Sequence, residues 1–323
     1  GLAASSNTGS CFLRLGLHVG DVMHVIVRDH LRDSPWSTIQ FASCCKALWS
    51  VRGLPVYLDF VPPQRTLEFW YLLCEPHFVL HNLEMQLDCT REPGALFSML
   101  VKIVFCKSLQ RLDITDCHLL TNCEVLAEAN SVHTMRLIRC DFLVDLGGLG
   151  MGCQNLTSLH LSECNQLADL TGLSKCPVLS KIYLIHCRSV VDITPLAQCK
   201  VLHYLDLISC GKLQSVTSLG TGCVSESLQA LVLQRCRALT DITGLDKCRS
   251  LQELTISGCT GIKDVSLLLK CEALSKLVAG LESHDWKGMD QLKSSTRYSV
   301  GSLKIDWMAR NRNGSVPDRR GTY

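Results

Sequence analysis

One motif, L-x-x-L-x-L-x-x-C, recurs seven times between Leu109 and Cys259 and constrains the fold more than any other feature of the chain. A fixed period of 20 to 50 residues is typical of a solenoid, in which each repeat supplies one short strand and packs its apolar side on its neighbours. Such a stack makes a long concave surface. The seven copies are spaced by 23 to 26 residues and are followed by a degenerate eighth at Leu274; they begin at Leu109, Val132, Leu156, Leu179, Leu202, Leu228 and Leu251.

Residues 156–178 show how one repeat is built. The alternation of Leu159 and Leu161 predicts a strand whose apolar side faces inward. After Cys164 the chain turns, and three further leucines return to the core: Leu167, Leu170 and Leu173. Few residues remain for the convex side, so we expect short helical turns there, some of them 3₁₀.

The returning half of the repeat carries a second motif, which begins with an aspartate. Asp169 heads D-L-T-G-L, and related segments occupy 192–196, 241–245 and 264–268. We expect the Thr or Ser of this motif to be the N-cap of the following turn, because its hydroxyl can accept a free backbone N–H. Pro195 supports that prediction, since proline favours the first helical position.

Most of the 20 cysteines follow the same period. No C-x-x-C pair of a zinc or redox site is present, so the sequence predicts structural free thiols, no metal and no cofactor. Free thiols in this number favour a reducing compartment, first the cytoplasm, with nucleus, flagellum and mitochondrion left open. Seven cysteines end the motif (Cys117, Cys140, Cys164, Cys187, Cys210, Cys236, Cys259) and seven more shortly precede its first residue (Cys106, Cys153, Cys176, Cys199, Cys223, Cys248, Cys271).

These repeats resemble the leucine-rich repeat family, with a cysteine ladder like that of its cysteine-containing subclass. The segment S-G-C-T-G-I-K-D-V-S-L-L at 257–268 is similar to repeats of kinetoplastid leucine-rich repeat proteins. The resemblance implies an α/β solenoid over 109–281, with a parallel sheet on the concave face and short helices or 3₁₀ turns on the convex face. Residues 54–108 are predicted to form irregular leading repeats, whose strands at 56–60 and 83–89 extend the sheet.

Residues 17–53, which follow an N-terminal segment at 1–16, predict three short helices before the repeats. This arrangement resembles the F-box, which docks on a Skp-type adaptor of a cullin ubiquitin ligase. The alternative is a helical cap that shields the apolar edge of the first repeat. By the resemblance, the residues expected to bind the adaptor are Leu17, Val22, Met23, Ile26, Pro35, Cys45 and Lys46.

Strand alternation also predicts which side chains line the concave face. Tyrosines and isoleucines cluster there, and an apolar cluster on a solvent-facing surface usually marks a site for a protein partner. The alternative is that a terminal segment of the same chain covers it. The predicted protein-binding residues are Arg136, Ile138, His160, Tyr183, Ile185, Tyr204, Asp206 and Ile208.

No catalytic set is evident in the sequence. Gly147–Gly152 is superficially similar to a phosphate loop, but it occupies a repeat turn and lacks the Lys-Ser/Thr ending. The net charge of +2 gives no general reason to expect nucleic acid or an anionic membrane, and no apolar run is long enough to span a bilayer. Residues 282–323 are predicted to form a C-terminal cap and a basic tail, for which an RNA or acidic protein surface is a minor possibility.

The sequence therefore predicts a non-enzymatic protein-recognition module. By its F-box-like head, it would be the substrate-receptor subunit of a Skp–cullin–F-box ubiquitin ligase. The alternative is a leucine-rich repeat scaffold subunit of a large cytoskeletal, flagellar or ribonucleoprotein assembly.

Overall fold

The main sheet contains ten strands, all parallel and ordered as they occur in the chain. The computed structural model describes residues 109–118, 120–280 and 285–294 in full and the backbone of the strands at 56–58, 78–80, 82–86 and 299–302. The strands are β3 (Asn82–Gln86), β4 (Arg111–Thr115), β5 (Thr134–Ile138), β6 (Ser158–Ser162), β7 (Lys181–Ile185), β8 (Tyr204–Ile208), β9 (Ala230–Gln234), β10 (Glu253–Ser257), β11 (Lys276–Ala279) and β12 (Ser299–Ser302).

The two strands predicted ahead of the regular repeats have different outcomes. The second lies at Asn82–Gln86 and extends the main sheet by pairing with β4, as expected. The first was predicted to extend the same sheet, and this is wrong. β1 (Val56–Leu58) instead pairs with β2 (Phe78–Leu80) in a separate two-stranded sheet. β2 has no counterpart in the 23-residue period, so the period gave no sign of this pairing.

Each strand pairs with the next so that equivalent motif positions lie opposite each other. Leu159 of β6, for example, is opposite Ile182 of β7, which is opposite Leu205 of β8. The 26-residue repeat keeps this register, because Leu205 still faces Leu231. Its extra residues are taken up on the convex side, where two 3₁₀ turns follow one another, Thr217–Gly220 and Cys223–Glu226.

The core is a continuous stack of the inward leucines, isoleucines, valines and cysteines, nearly all without solvent exposure. Burying one such aliphatic side chain contributes about 1.5–3 kcal/mol relative to leaving it exposed. Each layer is completed by the next repeat, so the stack depends on its neighbours. Beyond β11, Trp286, Met289 and Leu292 continue the core, the last two from the helix α2 (Met289–Ser294).

The convex side consists of short turns, as predicted. Besides the pair described above, these are the α-helical turn α1 (Leu149–Gly152) and the 3₁₀ turns Glu124–Glu128, Thr171–Lys175, Thr194–Gln198, Leu245–Lys247 and Ser266–Lys270. The turns stack closely, since a Cβ on Gly152 would lie only 1.1 Å from the carbonyl oxygen of Ala127. That close approach explains the glycine-rich segment at 147–152 as a packing feature.

The prediction that Thr or Ser caps these turns is wrong, because the aspartate two residues earlier accepts the free N–H. The Oδ1 atom of Asp192 accepts the backbone N–H of Thr194 at 2.7 Å. Asp169 binds the N–H of Thr171 and Asp264 that of Ser266 in the same way. The turns are single 3₁₀ turns, and this geometry presents the N–H to a side chain two residues back, as in an Asx-turn.

We expect Asp192→Ala to lower the free energy of unfolding by about 1 kcal/mol, because the N–H of Thr194 loses its acceptor. Thr194→Ala is the matched control and should change that free energy by less than about 0.5 kcal/mol. Urea unfolding followed by circular dichroism measures both. An equal loss in Thr194→Ala would show that the hydroxyl is the cap after all.

The cysteine ladder joins consecutive repeats at the strand ends. Cys187 Sγ donates to the carbonyl oxygen of Leu161 in the preceding repeat at 3.6 Å, and Cys210 Sγ donates to that of Leu184 at 3.6 Å. The residue before each ladder cysteine is left-handed from Asp116 to Gly258, with φ between 53° and 68°. Here the chain leaves the sheet and turns the thiol inward.

A second column of cysteines joins the convex turns. Cys199 Sγ donates to the carbonyl oxygen of Leu173 at 3.5 Å, and Cys248 Sγ to that of Leu219 at 3.5 Å. Burial raises the pKa of both thiols to about 12, so they stay protonated at neutral pH. Cys223 departs from this column and is exposed, because the longer repeat buries Val224 instead.

Candidate protein-binding surface

The concave face is the side of the sheet turned away from the leucine core, and its side chains stand in columns across the strands. The central column runs from Asp113 of β4 to Thr255 of β10, one residue per strand, through Arg136, His160, Tyr183, Asp206 and Val232. Neighbouring strands lie about 4.8 Å apart, so adjacent members of a column contact each other. The predicted binding residues share this face, as expected. Their role in binding stays a prediction.

The N-terminal end of the face carries a cluster of charges. The carboxylate of Asp113 lies between two arginines, 2.9 Å from Arg111 Nη2 and 3.3 Å from Arg136 Nη1. Asp113 is buried by these guanidinium groups, while Arg136 keeps partial exposure. One carboxylate thus serves two cations, and the cluster leaves a net positive charge on this end of the surface.

Aromatic rings occupy the middle of the face. The His160 and Tyr183 rings are stacked, with centroids 3.8 Å apart and planes at 10°. The Tyr183 and Tyr204 centroids are 5.1 Å apart, with the planes tilted by 39°. Burial lowers the pKa of His160 to about 4, assisted by the nearby positive charges of Arg136, Arg111 and Lys181. The imidazole is therefore neutral at physiological pH and acts as part of an aromatic surface.

Asp206 follows the rings in the central column and is only 8% exposed. Burial raises its pKa to about 7, and a hydrogen bond from the Tyr204 side chain opposes this shift. Its Oδ1 atom is buried without a hydrogen-bond partner. A buried carboxyl group with one oxygen left without a hydrogen bond destabilises the fold. The sequence pattern alone did not reveal that Asp206 is buried.

The isoleucines add an apolar row beside the rings. Ile185 and Ile208 are directly opposite each other on β7 and β8, and Ile138 lies two strands away on β5. All three are half-buried. Together with Tyr183 and Tyr204 they form the tyrosine–isoleucine patch, which is the apolar part of the concave face.

The Arg111–Asp113–Arg136 cluster was not predicted from the sequence, although Asp113 and Arg136 stand 23 residues apart. An acidic and a basic residue at that spacing fall in one column. Glu253 and Lys276 have the same spacing, and Lys276 Nζ lies 3.0 Å from Glu253 Oε2. The seven residues predicted to bind an adaptor, from Leu17 to Lys46, lie outside the described residues.

Metal-binding clusters and membrane-spanning helices are absent from the described part of the chain. No group of three or more His, Cys, Asp and Glu residues is placed to hold a metal ion there. The same residues include no helix with the length and apolarity required to cross a membrane.

The strand register, the buried leucine stack and the 3₁₀ turns define the fold as a leucine-rich repeat solenoid. Comparison with protein-family models gave no match, and comparison with curated proteins gave none either. The solved structures with similarity to the chain include an internalin, the leucine-rich repeat domain of a type III effector and the yeast Rad7–Elc1 complex.

An internalin from Listeria monocytogenes has a TM-score of 0.41 and 16% identity, covering 88% of this chain and 90% of the internalin. The leucine-rich repeat domain of the type III effector XopL has a TM-score of 0.44 and 15% identity, with 80% and 95% covered. Rad7, from the yeast Rad7–Elc1 complex structure, has a TM-score of 0.39 and 13% identity, with 92% and 98% covered. At these identities, and with TM-scores below 0.5, the likenesses carry no argument about this chain.

Asp206 predicts a specific dependence of stability on pH. Its pKa is about 7 in the folded protein against an ordinary value of 3.8, so between these values the folded state binds the extra proton. The free energy of unfolding therefore falls as pH rises from about 4 through 7. Asp206→Asn removes this contribution. Between pH 4 and 8, the wild type should lose on the order of 2–4 kcal/mol relative to the variant.

Urea unfolding at several pH values measures this difference. Thr255→Ser, a non-titrating change in the same column, is the control and should run parallel to the wild type. Parallel profiles for Asp206→Asn and the wild type would contradict the raised pKa.

Proposed function

We propose that this protein is a non-enzymatic recognition module that binds a protein partner through the concave face. The observation that carries the proposal is the tyrosine–isoleucine patch, where two tilted tyrosine rings and a row of isoleucines stand on the sheet face opposite the core. Tyrosine is enriched among the residues that dominate binding energy at interface centres, and clustered exposed apolar side chains usually mark partner sites.

The charges around the patch favour selective binding of a partner over non-specific apolar association. Arg111 and Arg136 lie on one side of it, and neutral Val232 and Gln234 lie on the other. Charged side chains at the rim of an apolar patch select partners and orient them. A partner that fits this face carries apolar residues for the patch and an acidic group for the arginine end.

The double variant Tyr183→Ser, Tyr204→Ser should weaken capture of the partner at least tenfold, because it removes both rings from the patch. Met151→Ser is the matched control, since Met151 is 76% exposed on a convex turn and should leave capture unchanged. Quantitative co-purification identifies which bound protein is lost from the double variant and kept by the control. A large fall in the free energy of unfolding of the double variant would show instead that the chain covers its own patch.

We further propose that residues 17–53 recruit a Skp-type adaptor of a cullin ubiquitin ligase, with the concave face as substrate receptor. The support is the F-box resemblance of the sequence, carried by Leu17, Val22, Met23, Ile26, Pro35, Cys45 and Lys46. The abundance of free thiols supports a reducing compartment such as the cytoplasm.

The full chain should bind a purified Skp-type adaptor, and Leu17→Asp with Ile26→Asp should weaken that binding at least tenfold, because charges replace apolar contacts. Isothermal titration calorimetry measures the affinity, and circular dichroism verifies the repeat fold. No binding by the intact wild type would refute the ligase role. It would leave the scaffold subunit of a large assembly as the function, with the head as a cap.

A further inference from the structure

A buried carboxyl group beside two tyrosine rings makes the concave face unusual at β8. Asp206 is directly opposite Tyr183 of β7 on one side and Val232 of β9 on the other. Tyr204, two residues earlier on the same strand, donates a hydrogen bond to its carboxyl group. The Oδ1 atom has no partner and is shielded from solvent. A buried acceptor without a hydrogen bond is unfavourable, so a donor from a bound partner would stabilise it.

No cation within the described residues forms an ion pair with Asp206. The arginines at the N-terminal end are held by Asp113, and the pairs further along the chain join other carboxylates. Lys181, the nearest lysine by strand register, faces Tyr204 from β7 and remains exposed. On the β9 side the facing groups are Ala230, Val232 and Gln234, all uncharged. The described part of the chain therefore supplies no positive charge to pair with the carboxyl group of Asp206.

The geometry of the rings suits a planar cation. The rings of Tyr183 and Tyr204 are half-buried and tilted by 39° to each other, and their residues flank Asp206 across the strands and along β8. A guanidinium group stacks on an aromatic face and at the same time donates hydrogen bonds to a carboxylate in its own plane. A lysine ammonium group makes a point contact and lacks the stacking. Arginine is therefore the side chain that satisfies both features together.

We propose that Asp206, Tyr183 and Tyr204 form a seat for one arginine side chain of the protein partner. This inference rests on the proposed function, since it names the chemistry of the partner that the concave face would bind. The guanidinium group stacks on a tyrosine ring and donates to Oδ1. Because this atom is shielded from solvent, the proposal includes a rotation of a neighbouring ring that uncovers it. The positive charges of Arg111, Arg136 and Lys181 disfavour approach from β4–β7, so the arginine enters over β8 and β9.

The same seat makes binding dependent on pH. A cation favours the ionised carboxylate, and in the free protein burial holds the pKa of Asp206 near 7. Binding is then strongest above pH 7 and weakens as the pH falls below it, because the carboxyl group must release its proton. His160, on the far side of Tyr183, stays neutral through this range, since its pKa is about 4.

The test uses the full chain and a small probe, the blocked amino acid N-acetylarginine amide. Ring resonances of Tyr183 and Tyr204 should shift with saturation in NMR titrations at pH 8. N-acetylcitrulline amide, which has nearly the same shape and no charge, should bind at least fivefold more weakly. Asp206→Asn should reduce binding of the arginine probe by a similar factor, as should lowering the pH to 5.5. Equal binding of the two probes, or no saturable shift, would overturn the seat.

Two further variants separate other outcomes. If the arginine probe binds only after Arg310, Arg312, Arg319 and Arg320 are changed to Glu, the seat belongs to the chain's own tail and the partner proposal is overturned. If Tyr183→Ser, Tyr204→Ser loses the partner while Asp206→Asn keeps full affinity for it, the concave face binds protein but the arginine seat is wrong. If neither variant alters capture although the probe binds, the proposed function fails and the inference fails with it.

Discussion

Every described strand of the main sheet is hydrogen-bonded to the strands of adjacent repeats in constant register, and the rest of the molecule depends on that constraint. A single repeat cannot shield its inward leucines from water by itself, so its apolar side is covered only when the next repeat stacks upon it. The 26-residue repeat shows how strictly this holds. Its extra residues alter the convex turns and expose Cys223, while Leu205 and Leu231 keep their register across the sheet.

The same register organises the polar groups. Five ion pairs in the described residues join an acid to a base 23 positions later: Asp113–Arg136, Asp116–Arg139, Glu226–Arg249, Glu253–Lys276 and Asp264–Lys287. Exposed pairs of this kind contribute little individually. They follow from the constant repeat length, because equivalent positions on adjacent repeats are close enough for opposite charges to form ion pairs. Backbone groups follow the same rule, since each thiol of Cys187 and Cys210 reaches a carbonyl oxygen of the repeat before.

How much the sequence could predict depends on whether a feature follows the period. The strands of the regular repeats, the inward leucines and the columns of the concave face follow it, and they were predictable. The pairing of β1 with β2 does not follow it. The capping aspartates recur with the period, but the pattern did not show that the aspartate rather than the Thr or Ser accepts the N–H, because that depends on 3₁₀ geometry. The burial of Asp113 and Asp206 was also beyond the pattern. Alternation assigns a side chain to a face, whereas burial on that face depends on the conformations of neighbouring arginine and tyrosine side chains.

The two faces of the sheet contribute differently to stability, and this explains why the buried carboxyl group of Asp206 is tolerated. Stability comes from the leucine stack, whose burial is shared over all the described repeats, and a loss of a few kcal/mol on the opposite face is spread over a cooperative unit. Of the three buried polar atoms left without a partner in the described residues, Arg136 Nε and Asp206 Oδ1 both belong to the central column of the concave face. Buried polar atoms without partners, on a face that does not form the core, are typical of a functional surface rather than of one that stabilises the fold. The two atoms lie on either side of the stacked His160 and Tyr183 rings, one a donor on a cation and the other an acceptor on a carboxyl group. A partner that satisfies both must present complementary charges to the two sides of one aromatic surface.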